Sequence, residues 1–175
     1  MFRSFVCLGE KKAAFVQVVR DMEIKDLDGV LEIEKKAFPT PWTRRMFLEE
    51  LEEPLCVNRV AIAEEKVTGY SCFALVYDEV HLRNIAVHKR WRRRGIATRL
   101  LEDMFDLSIK QGAFLATLEV RKSSIHAQRL YERFGFRVAG VRPLYYSDTK
   151  EDALIMWADL RDRRTASTTE GTEKK

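Results

Sequence analysis

Apolar and polar positions change period several times along the chain, and each change marks an element. Phe15, Val16, Val18 and Val19 alternate closely enough to predict a strand over Phe15 to Ile24, with Asp26 placed to cap a helix after it. Leu27, Val30, Leu31, Glu34, Ala37 and Phe38 fall at helical spacing, and Pro39 and Pro41 end that run. Thr43 is placed to cap a second helix through Leu51, which Pro54 closes. Three β-rich stretches follow, Cys56 to Ala63, Val67 to Tyr77 and Val80 to Val87. Glu64-Glu65-Lys66 and Asp78-Glu79 separate them, which predicts an antiparallel meander. The period then returns to helix: Ile96, Leu100, Leu101, Met104, Phe105 and Leu107 to Ile109 form a broad stripe that Gly112 stops. Phe114 to Val120 reads as a strand buried on both faces at its start. Ser123 or Ser124 is placed to cap a further helix carrying Ala127, Leu130, Tyr131 and Phe134, ended by Gly135. Two last strands, Phe136 to Leu144 and Asp152 to Leu160, flank a loop holding Tyr145, Tyr146, Ser147 and Asp148.

The resulting order, β-α-α-β-β-β-α-β-α-β-β, predicts an α/β domain whose helices cover both faces of a largely antiparallel sheet. One domain over 15–160 is expected, preceded by an extension at 1–14 whose pattern is weak and followed by a polar, disordered tail at 161–175. At 175 residues the chain buries enough apolar surface to need no disulfide or metal. The hydrophobic share of 46% and charged share of 33% are those of a soluble globular protein. No apolar run has transmembrane length, and the start lacks a long apolar segment with a cleavage site, so a cytoplasmic protein with no membrane partner is expected. Cys7, Cys56 and Cys72 are widely spaced and read as reduced core thiols. His81, His88 and His126 show no ligand spacing, so no metal is expected. A net charge of +4 suits an acidic ligand, a phosphate-bearing cofactor or nucleic acid equally.

The segment from Asn84 to Thr98 changes that picture, because an apolar strand runs through Lys89-Arg90-Trp91-Arg92-Arg93-Arg94 into a helix start. Gly95 and Ala97 let a ligand approach the backbone, while the unpaired N–H groups of a first helical turn favour an anion. A pyrophosphate fits there, with the arginines adding charge-assisted hydrogen bonds. On charge alone the same run also reads as a solvated basic loop or a nucleic-acid patch; its position between strand and helix favours the anion cradle.

Arg92-x-x-Gly95-x-Ala97 resembles the acetyl-CoA motif of the GCN5-related N-acetyltransferase (GNAT) superfamily. Asn84-Ile85-Ala86-Val87, Leu118-Glu119-Val120-Arg121, Leu130 to Phe136, and Tyr145-Tyr146 with Glu151 to Met156 are similar to one subgroup of it. That subgroup is the ribosomal-protein-alanine N-acetyltransferases with their archaeal and eukaryotic N-terminal acetyltransferase relatives. The likeness runs from about Val16 to Leu160. It implies the GNAT fold, a mixed and mostly antiparallel sheet of six to seven strands with a splayed centre and helices on both faces. It also implies acetyl-CoA as cofactor, held by backbone groups of Ile85, Ala86 and Val87 and by the turn of Arg92, Arg93, Arg94, Gly95, Ile96, Ala97 and Thr98. Glu119 matches the general base, Tyr131 the general acid, and Trp42, Tyr145 and Tyr146 the loops lining a peptide entrance. Where the family carries Ser-Asn after Glu-Val-Arg, this chain has Lys122-Ser123-Ser124, so Ser124 stands in for an asparagine that contacts the cofactor.

Read without the resemblance, Glu119 also suits a strand-end carboxylate paired with Arg121 or Lys122, Tyr131 a core aromatic, and Trp42 a staple for the second helix. Acetyl transfer requires a neutral amine, a polarised carbonyl and a protonated leaving sulfur. An α-amine, with a pKa of about 8 against about 10.4 for lysine, is the easier acceptor. That does not exclude lysine; the resemblance implies as partner a protein or peptide N-terminus, a ribosomal protein among the candidates, with no specific nucleic acid and a monomer or weak dimer expected. Lysine or small-molecule acetylation, and a ribosome- or RNA-binding module without chemistry, remain the alternatives.

Overall fold

The computed structural model describes residues 18–161 and residue 163. The extension at 1–14 with Cys7, the first residues of the expected opening strand, and the tail beyond 163 lie outside the described residues. Within them, strand β1 (Val18–Asp21) leads through a 3-10 turn (Ile24–Asp26) into helices α1 (Leu27–Ala37) and α2 (Arg44–Glu52). Strands β2 (Cys56–Ala63), β3 (Lys66–Val76) and β4 (Glu79–Val87) follow, then α3 (Ile96–Lys110), β5 (Leu115–Arg121), α4 (Ile125–Arg133), β6 (Arg137–Tyr146) and β7 (Glu151–Asp159).

The strands form one seven-stranded sheet in the order β1-β2-β3-β4-β5-β7-β6. Every pairing is antiparallel except β4 with β5. That parallel pair holds only from Glu79 with Leu115 to Leu82 with Leu118. Beyond it the rest of β4 has no partner strand on the β5 side, and the sheet splays.

Helices cover the two faces as the alternation requires. Leu27, Val30 and Ile33 of α1 and Phe47 of α2 pack on Val60, Tyr70, Cys72 and Ala86. On the other face, Leu101, Met104 and Phe105 of α3 meet Tyr131 of α4 and Phe134 at its C-terminal end over Phe73, Val80, Leu82 and Leu118. The Phe105 and Phe134 rings lie 5.6 Å apart. A bulge in β4 sets which side chains go where. Cys72 pairs with Asn84 but Phe73 with Leu82, so Arg83 is the extra residue. Alternation slips by one there. Val80 and Leu82 therefore face α3, as do Ile85 and Val87 beyond the bulge, while Ala86 joins the α1 and α2 side.

Several local expectations are corrected. Asp26 does not cap α1 through its side chain; its carboxylate accepts the backbone N–H of Glu23 at 2.8 Å and pairs with Arg20, which fastens the 3-10 turn instead. The start of β5 is not buried on both faces: Leu115 and Thr117 are half-exposed while Ala116 and Leu118 are buried, because the face opposite α3 is left open there. Tyr145 and Tyr146 belong to β6 rather than to a loop, since Tyr146 still pairs with Glu151. Tyr77 sits in the β3–β4 turn with φ 56° and is 98% exposed, not in a strand. Of the two cysteines described, Cys72 is fully buried but Cys56 only half-buried.

Candidate active site

Where the basic turn enters α3, the first main-chain amides of the helix are left without partners among the described residues. Arg93 and Gly95 adopt left-handed conformations, φ 64° and 79°, on either side of Arg94, and Gly95 opens α3 without any side-chain cap. Arg99 donates to the Gly95 carbonyl at 3.0 Å, whereas the N–H groups of Ile96, Ala97 and Thr98 find no acceptor among the described residues. A Cβ added at Gly95 would meet no atom within 4 Å, so the space before the helix is open. Ile96 is 1% exposed and anchors the turn in the core. Arg92 ties the loop back to β4 by donating from Nε to the Val87 carbonyl at 3.3 Å. Free amides, a helix dipole and exposed guanidinium groups fit a diphosphate.

A cleft of about 530 Å³ opens where β4 and β5 part. Its lining brings together Trp42, Ile85, Glu119, Ser124, Tyr131, Tyr145 and Tyr146, so seven of the residues singled out in the sequence share one cavity. Ala86 points its side chain into the α1 and α2 core, Val87 packs on the α3 side, and the turn from Arg92 to Thr98 lies outside this cavity. Ser124 begins α4 with no side-chain cap bond, so its hydroxyl is not committed to the helix.

Glu119 and Tyr131 reach the cleft from opposite faces of the sheet. Leu118 and Val120 turn toward α3, so Glu119 between them stands on the face of α1 and α2. Tyr131 is 7% exposed on α4, against α3. The splay joins the two sides. Burial raises the Tyr131 phenol above its ordinary value, with the neighbouring Tyr146 adding to it, so the group stays protonated near neutral pH. Glu119 does not pair with Arg121 or Lys122. Its Oε2 lies 2.7 Å from Nε2 of His81, and its Oε1 3.5 Å from Arg142. His81 is a residue that sequence reasoning passed over, because its approach to Glu119 depends on the pairing of β4 with β5.

Arg121 instead turns to the β6–β7 loop. It donates to both oxygens of Asp148 at 2.8 and 3.1 Å and to Thr149 at 2.6 Å, and it lies over the Tyr146 ring at 3.9 Å from the centroid. Asp148 also accepts from Thr40 at 3.0 Å, joining the α1–α2 loop to the β6–β7 loop across 108 residues. Trp42 has both roles considered for it: its ring packs 5.3 Å from Phe47, as a staple preceding the Thr43 cap, and it lines the cleft. The second missed residue is Glu34, a carboxylate on the apolar stripe of α1 that is 1% exposed and lines the same cleft.

The sequence pattern of the Acetyltransferase (GNAT) family matches residues 27–136. The ribosomal protein bS18-alanine N-acetyltransferase of Escherichia coli (strain K12) is 34% identical over 143 residues, 81% of this chain and 96% of that protein. The N-alpha-acetyltransferase of Saccharolobus solfataricus is 32% identical over 162 residues, 85% of this chain and 96% of that protein. Among solved structures, the ribosomal-protein-S18-alanine N-acetyltransferase from Escherichia coli superimposes with a TM-score of 0.76 at 33% identity, covering 82% of this chain and 94% of that one. With a splayed seven-stranded sheet, a free-amide turn at its centre and these relatives along nearly its whole described length, the chain belongs to the acetyltransferase (GNAT) family, whose acetyl donor is acetyl-CoA.

Proposed function

We propose that this acetyltransferase acts on the free α-amine of a protein N-terminus beginning with a small residue such as alanine or serine, with a ribosomal protein as candidate substrate. The observation that carries the reading is the meeting of Glu119 and Tyr131, from opposite faces of the sheet, in one cleft at the β4–β5 splay. A separate entrance for donor and acceptor follows from it. The turn from Arg92 to Thr98, the backbone of Ile85, Ala86 and Val87, and Ser124 would hold acetyl-CoA, which when bound supplies an activated thioester. Glu119 takes the proton from the attacking amine, its carboxylate oriented by His81 and Arg142. Tyr131 keeps a proton on its hydroxyl for the departing sulfur. Any amide of β4 beyond Leu82 that points away from β3, where β5 no longer pairs, suits an oxygen that gains negative charge. Trp42, Tyr145 and Tyr146 line the acceptor side. The names of the relatives support a protein N-terminus as acceptor.

Incubation with acetyl-CoA and short peptides, followed by free thiol release, tests this. Turnover is expected on Ala- and Ser-initiated peptides and not on the same peptides N-terminally blocked but carrying lysine. Turnover on the blocked peptides or on polyamines alone would replace the α-amine with another acceptor.

A further inference from the structure

Glu34 sits where the helical stripe of α1 calls for an apolar side chain, between Ile33 and the helix end. A buried carboxylate is costly unless donors surround it. Three do. Oε1 accepts the backbone N–H of Trp42 at 2.7 Å, Oε2 accepts the Tyr70 hydroxyl, and the Asn84 amide nitrogen stands 3.4 Å from both oxygens. Tyr70 is fully buried on β3 and Asn84 is 8% exposed on β4. Asn84 faces Glu34 only because the bulge at Arg83 shifts the alternation of β4 by one residue. One carboxylate therefore touches the acceptor loop, the central strand, and the residue just before Ile85, whose backbone was assigned above to the thioester.

Resting on the α-amine reading for its substrate, we propose that Glu34 is a positioning residue that sets the spacing between the acceptor loop at Trp42 and the splayed segment of β4 at Asn84. It does not touch the reacting atoms in this role. Its carboxylate is an anchor shared by two walls of the cleft, so the width of the acceptor entrance depends on it. Substitution then alters how the amine is presented while the turn from Arg92 to Thr98, which lies outside the cleft that Glu34 lines, is untouched.

Hydrogen exchange on the full-length chain reads the anchor directly. Glu34→Ala should speed exchange of the Trp42 amide by about tenfold or more, the effect of losing a hydrogen bond to a charged acceptor, with the amides of β5 unchanged. Glu34→Gln, which keeps an acceptor oxygen, should restore most of the protection. In steady-state assays Glu34→Ala should raise the acceptor KM about tenfold, as misplacement of a bound group does, with kcat and acetyl-CoA affinity close to wild type. Unchanged Trp42 exchange in a folded Glu34→Ala protein would overturn the proposal, as would equal losses in acceptor KM, kcat and acetyl-CoA affinity. If the alanine variant does not fold, Glu34→Gln and Tyr70→Phe are judged by the same exchange measurement. Should wild type acetylate no N-terminal peptide, the α-amine reading fails, while the exchange result still decides the role of Glu34.

Discussion

The turn proposed to hold the acetyl donor and the cleft proposed to take the acceptor are built by different means. The donor side is a continuous run: Arg92 to Thr98 supplies left-handed backbone, free amides and cationic side chains within seven consecutive residues. The acceptor side is assembled from α1, its following loop, β3, β4, β5 and the β6–β7 loop, through contacts such as Thr40 with Asp148 and Glu34 with Tyr70. A short peptide segment can carry the first kind of site because main-chain groups do the binding. The second kind exists only when side chains far apart in the chain are packed together. This explains how one donor can serve a family while acceptors differ, since acceptor contacts change without disturbing the turn.

The largest effect should come at the junction of the two sides. Glu119→Gln removes the proposed proton acceptor and should lower kcat by about 10²–10⁴-fold while acetyl-CoA still raises the melting temperature. A rate near wild type would show that the base lies elsewhere and that the junction is misplaced. On the donor side, Gly95→Ala adds a methyl group in open space but at φ 79°, a left-handed conformation that costs a side-chain-bearing residue about 1–2 kcal/mol. The turn either retains the strain and melts earlier, or relaxes and loses acetyl-CoA affinity by about tenfold. Acceptor KM should not change; if it does, the two sides are not separable. Asp148→Ala should do the reverse. It should raise the acceptor KM by no more than about fivefold, the limit for an exposed ion pair, and leave acetyl-CoA affinity alone.

The smallest effect is in pH dependence. Burial raises the Glu34 carboxyl above its ordinary value despite the donors from Tyr70, Trp42 and Asn84, so the folded state holds its proton more tightly than the unfolded chain does. That contribution is fully present below the unfolded carboxyl value and is lost as pH rises through the folded one. The stability of wild type relative to Glu34→Gln should therefore decline as pH rises out of the acid range, followed by thermal melts at fixed ionic strength. A difference that grows with pH would mean the donors outweigh burial.

Much of this was readable before the structure. Pro39, Pro54, Gly112 and Gly135 fall beside the ends of elements, and Thr43 caps α2 through its hydroxyl, accepting the Met46 N–H at 3.3 Å. Cys56–Ala63 is a strand over the expected residues. Glu119 and Tyr131 fall in a common cleft. The bulge at Arg83 was missed although its trace is in the sequence: Val80 and Leu82, then Ile85 and Val87, change parity between 82 and 85, and all four face α3. Read as one regular strand, that segment sends Asn84 and Ala86 to the wrong face. Asp26 and the ends of β6 were misjudged for a related reason, since a side chain's choice between local and distant partners depends on what packs beside it.

By itself the amino-acid order determined the elements, their sequence along the chain and the basic turn that opens α3, because helix stops, strand alternation and free first-turn amides depend on neighbours a few residues away. Only the tertiary structure decided that His81 and Arg142 hold Glu119, that Arg121 serves the loop of Asp148, and that Glu34 joins Trp42 to Asn84. Those partnerships form between residues from 8 to 50 positions apart. They arise where the sheet splays and one strand slips its register, which no local period encodes.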